Sequence, residues 1–176
     1  MKHPLEFVPG AARKQLFLIF LFLTLFLFAV FRVLDQPLRT SAAPSGIVSF
    51  ELARTPDVAE EIVSSWSREG KFNAAFGLGI DYLFMPLYAF ALAFGTLLAA
   101  GRHLGWLKSL GAVAGYGAFA AALFDAVENF ALFQTLLGAV DTSYPAIAAI
   151  CATIKFALLI FGLLYALSAW LLPRQG

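Results

Sequence analysis

Cysteine, histidine and charge are scarce in this chain. The lone Cys151 excludes an intramolecular disulfide and a CxxC centre, and it lies in an apolar run. His3 and His103 are the only imidazoles, which rules out paired-histidine and Cys/His zinc patterns. Charged residues make up 13% of the 176, roughly half the share of a soluble domain. A net charge of +1 offers no basic field to a nucleic acid, and no such partner is expected. No phosphate-binding loop and no nucleophile–base pair stands out. The chain therefore leans away from an enzyme and names no cofactor.

What it has is hydrocarbon. Hydrophobic residues make up 61%, phenylalanines number 19, and the mean hydropathy is +0.82. These values place a single domain in a lipid bilayer, which is its first expected partner. Apolar runs at 15–34, 72–101, 106–137 and 144–172 are each long enough to span. Arg13 and Lys14 precede the first run, as in a signal peptide, but the run exceeds the roughly 7–15 apolar residues of a signal core and reads as an uncleaved anchor. Short turns at 101–105 and 138–143 force antiparallel neighbours. Lys2, Arg13, Lys14, Arg102, Lys108 and Arg174 gather on one side of these spans. The loop 36–71 balances four basic residues against five acidic ones, and the last turn holds only Asp141. Both termini are thus expected in the cytoplasm. Trp106 and Trp170 then fall at the inner interface and Tyr144 at the outer one. The expected fold is all-α, an integral membrane four-helix bundle with one extracytoplasmic amphipathic helix.

That outer helix is expected over 56–69. Thr55 suits the N-cap, Pro56 the first position, and Gly70 the stop. Val58, Ile62 and Trp66 recur every four residues beside Ala59 and Val63. They form either an interfacial linker or a lid over a site. The preceding stretch, 46–53, could be strand-like or helical.

Five polar residues sit inside the apolar runs. By helical rise Asp81 lies about 13 Å below the outer face, Asp125 about 18 Å, Glu128 and Asn129 about 12–14 Å, and Lys155 about 16 Å. They form one layer within the uncertainty of the helix ends. Asp125, Glu128, Asn129 and Leu132 share a helical stripe that continues backward through Ala122, Ala118, Gly115 and Gly111, the small-residue pattern of close packing in lipid. Asp81, Met85, Tyr88 and Leu92 share a face on the second span. Pro86 there leaves the Tyr82 carbonyl without its helical donor. Three acids against Lys155 leave surplus negative charge, which hydrocarbon does not tolerate. Protons occupy some of the acids, or a cation does, or water reaches them. Asp81, Asp125, Glu128 and Asn129 are oxygen ligands of the kind that hold Mg²⁺, Ca²⁺ or Mn²⁺. The opposing reading is a structural network that fixes helix register. Lys155 is expected as a counter-ion within about 4 Å of one of the three acids. Cys151 and Thr153 read as packing residues, Arg32 and Asp35 as snorkelling side chains or a surface pair, and His103 as solvated beside Arg102.

The segments FGLGIDYLFMPLYAFALAFG and AALFDAVENFALFQTLL, after an outer loop GIVSFELARTPDVAEEIVSSW, resemble small four-span bacterial membrane proteins. In that group an Asp-aromatic segment in the second span precedes a D..EN segment in the third. The resemblance runs from about Gly46 to the end. It implies a bacterial inner-membrane location, this topology and a shared polar core, but no reaction. Three functions compete. The first is an outward-facing pocket of Asp81, Tyr88, Asp125, Glu128, Asn129 and Lys155 that binds or conducts a proton, cation or small amphiphile. The second is an accessory subunit of a larger membrane complex, or a homo-oligomer, with a structural polar core. The third is a lipid-modifying enzyme.

Overall fold

The computed structural model describes residues 1–138 and 143–174, so Asp141 and most of the last turn lie outside the described residues. Among these residues the chain is all-α. The elements are α1 (Gly10–Leu34), a 3₁₀ turn (Gln36–Leu38), α2 (Ile47–Glu51), α3 (Pro56–Ser65), α4 (Arg68–Ala100), α5 (Gly105–Leu136) and α6 (Tyr144–Leu171). Helices α1, α4, α5 and α6 are long and apolar enough to cross a membrane. The stretch 46–53 is helical, not strand-like.

Two expectations about the outer segment are corrected. The helix that opens at Pro56 stops at Ser65, and Gly70 is not its stop. Trp66 turns extended, and the Ser67 hydroxyl then accepts the Gly70 N–H at 3.1 Å, which caps a new helix. Gly70 lies inside α4, where a Cβ would meet the Pro37 carbonyl oxygen at 3.1 Å. Thr55 does cap α3, accepting the Val58 N–H at 3.5 Å. The second correction concerns Asp35. It pairs with Arg39, not Arg32, at 3.0 Å, and its other oxygen accepts the Ile47 N–H at 2.8 Å. The chain passes Asp35 at Gly46, whose φ of 61° and close contact with that carboxylate leave no room for a side chain.

The molecule divides into two compact units, and the four long helices contribute a segment to each. In the unit formed by 26–84 and 124–154, α4 and α5 run antiparallel: Leu78 meets Asn129, and Tyr82 meets Ala126. Its core joins Leu38, Phe50, Ala59, Ile62 and Trp66 of the segment between α1 and α4 to Leu78, Leu132 and Ala148 of the long helices. The Trp66 indole donates to the Leu38 carbonyl at 2.8 Å and packs edge-on against Phe50. Helices α2 and α3 are therefore a packed cap on this unit.

In the unit formed by 1–25, 85–123 and 155–176, Phe20 stacks on Phe90 and Phe94, and Leu92 fills the space beside Gly162. The small-residue stripe of α5 is its contact face: Gly111 lies against Ala100 and Tyr165, and Ala118 is fully buried. Gly115 on that stripe receives the His3 imidazole so closely that any side chain would collide with it. Residues 1–9 thus fold back as a strap. Arg13 holds them by donating to the Val8 and Glu6 carbonyls, both at 2.8 Å. The Leu5 N–H donates to His3 Nδ1 at 3.1 Å, which leaves Nε2–H to donate to the Thr96 hydroxyl at 3.2 Å. Thr96 in turn donates to the Ala93 carbonyl.

Candidate functional site

The site is built where α4 and α5 cross in the capped unit. Asp125, Glu128 and Asn129 follow one another at i, i+3, i+4 on α5, so all three point the same way, and none exceeds 2% exposure. The Asn129 amide crosses to α4. It donates to the Asp81 carboxylate at 2.8 Å and to the Leu78 carbonyl at 3.3 Å. The first is a short, charge-assisted bond; the second is a weak addition to a carbonyl already inside a helix. Next to Asp81 in the chain, the Tyr82 hydroxyl donates to the Ala126 carbonyl at 3.2 Å. Both Asp81 and Asp125 lie within electrostatic reach of that hydroxyl. Tyr82 was not singled out in the sequence: it lies beside Asp81 but off the stripe that carries Met85 and Tyr88. The open carbonyl produced by Pro86 was the one hint toward this part of α4.

The cap packs one turn away from these side chains. Leu78 and Leu132, one turn from Asp81 and Asn129, belong to the core that includes Ile62 and Trp66. Of the three residues expected to form a lid, Ile62 and Trp66 are buried there, while Val58 is 43% exposed and turned away. The apolar stripe of α3 therefore runs through Ala59, Ile62 and Val63 to Trp66. Asp125 and Glu128 are buried, at 2% and 0% exposure, while Asp81 is partly exposed.

Tyr88 and Lys155 belong to the other unit. Tyr88 is buried on α4, and Lys155 is buried on α6 with its ammonium 4.8 Å from the Phe156 ring centroid. Cys151 is buried, and the Thr153 hydroxyl donates to the Ala149 carbonyl within its own helix, as packing residues do. Among the described residues, no three His, Cys, Asp or Glu side chains converge on a metal position.

His103 is a further correction. It is 2% exposed rather than solvated, and its Nε2–H donates to the Ala169 carbonyl at 2.7 Å. Its neighbour Arg102 lies over the Trp170 ring, 4.6 Å from the centroid.

Four apolar spans and a set of buried acids define a multi-pass integral membrane protein. No family model, no curated protein and no solved structure matches the chain.

Proposed function

We propose that this protein binds and passes protons at Asp125 and Glu128, in the outer half of a bacterial inner membrane and with both termini in the cytoplasm. The observation that carries this reading is the near-complete burial of two carboxylates on one face of a spanning helix. Ionisable groups at that depth are rare and costly, and a carboxyl group held there can take up and release a proton as its surroundings change. Asp81 and Asn129 supply a hydrogen-bonded partner surface beside them. In this reading the cap acts as a gate between the acids and outer water. The resemblance to small four-span bacterial proteins fits this topology.

The test is proton uptake into proteoliposomes under an imposed potential, read with an enclosed pH dye. Wild-type uptake should exceed that of empty vesicles and fall sharply in Asp125→Asn and Glu128→Gln. Uptake equal to empty vesicles would favour the second reading, a structural core in an accessory subunit, for which the Asn129 link between α4 and α5 is the supporting observation. A reporter fused after Arg174 tests orientation; a signal from the outer side would reverse it.

A further inference from the structure

We infer that the α4–α5 turn and the end of α6 form a binding site for the phosphate of an anionic phospholipid headgroup, read by Arg102. The turn is firmly held. His103 ties it to α6 through the Ala169 carbonyl, and the Tyr165 hydroxyl ties α6 to α5 through the Leu107 carbonyl at 2.9 Å. Arg102 therefore sits on a rigid platform with its guanidinium stacked on Trp170. Arginine in a protein interior is ordinarily met by a carboxylate or by carbonyls. Here the Nε–H is shielded from water and has no acceptor among the described residues. The guanidinium carbon lies over the tryptophan ring, and the residue as a whole is only half-buried. A planar guanidinium fixed on an aromatic ring presents paired N–H donors in the geometry that suits a phosphate.

The surroundings match a lipid headgroup. In the sequence of this unit Glu6 is the only acid, against Lys2, Arg13, Lys14, Arg102, Lys108 and Arg174 outside the apolar cores. Trp106 and Trp170 are 71% and 56% exposed at the ends of α5 and α6, where indole rings rest at headgroup level. Leu104 and Leu171 are exposed beside them and suit acyl chains. Basic pockets between spans on the cytoplasmic side are suited to anionic headgroups. The site is independent of the proton reading, since it shares no residue with it.

The test is native mass spectrometry of the full chain released from vesicles of equal phosphatidylcholine and phosphatidylglycerol. Wild type should retain phosphatidylglycerol in preference, and excess inorganic phosphate should not displace it. Arg102→Gln and Arg102→Lys should each lower retention by more than about tenfold, the worth of a charge-assisted contact. Lys108→Gln should change it by less than about fivefold, the worth of one charge near the surface. Arg102→Lys retaining lipid like wild type would overturn the proposal, because charge alone would then suffice. Displacement by inorganic phosphate would also overturn it, assigning the site to the free anion.

Discussion

Replacing Asn129 with leucine tests whether the α4–α5 crossing is held by polar contacts. The two side chains are close in size, so the change removes donors while creating little cavity. Two bonds disappear: 2.8 Å to the Asp81 carboxylate and 3.3 Å to the Leu78 carbonyl. The second contributes little, because the carbonyl keeps its place in the α4 ladder. The first decides the outcome. A bond to a charged partner contributes about 1.5–3 kcal/mol in water-soluble proteins. Polar pairs in bilayers average about 0.6 and reach about 1.7 kcal/mol, because the unfolded chain in the membrane also finds partners. Asn129 is almost fully buried and the bond is short, so the upper part of these ranges applies and the expected loss is about 1.5–2.5 kcal/mol. The assay is equilibrium unfolding of the full chain in mixed micelles, followed by circular dichroism. Val127→Ala, on an exposed position of the same helix, serves as a control. A change of less than about 0.5 kcal/mol for Asn129→Leu would refute the argument, since that is the error of such comparisons.

The strap and the cap give further expectations. Gly115→Ala should release residues 1–9, because the new methyl takes the position of the His3 ring; rapid proteolysis near the N-terminus of this variant, with the bundle intact, is the readout. Burial lowers the His3 imidazole from 6.5 to about 4, with Glu6 opposing and Arg13 adding to the shift. The unfolded or undocked strap therefore binds more protons between these values, so docking is complete above about pH 6.5 and weakens as pH falls toward 4. Hydrogen exchange at Leu5 should speed up across that window, and exchange independent of pH after correction for its intrinsic rate would contradict it. Trp66→Ala should cost about 3–5 kcal/mol of cap stability, as for a buried tryptophan with its indole N–H engaged. Exchange in 47–65 should rise far more than in α5, and equal rises in both would show that the cap does not open alone.

Much of this was legible in the sequence, for reasons that differ by residue. The four spans stood out because hydrocarbon thickness demands long apolar runs. Asp125, Glu128 and Asn129 stood out because their shared stripe leads into Gly115 and Gly111, and small residues at that spacing point to a packed face. The break at Trp66 was missed although Ser67 carries the cap chemistry that makes it, because the apolar period of α3 continues smoothly through Trp66. The strap was not legible: nothing in the first nine residues distinguishes a docked histidine from a solvated one. His103 was misjudged because its partner is a backbone carbonyl far along the chain, and a backbone group leaves no mark in side-chain patterns.

Proton binding by Asp125 and Glu128 inside the membrane is open to direct measurement. Infrared spectroscopy of the protein in lipid bilayers sees this directly, because a protonated carboxyl absorbs at a carbonyl frequency that a carboxylate lacks. If the two residues bind protons, a carboxylic-acid band changes reversibly as outer pH is cycled and loses separate components in Asp125→Asn and Glu128→Gln. A band that stays constant across pH, or that is unchanged by both substitutions, would contradict it.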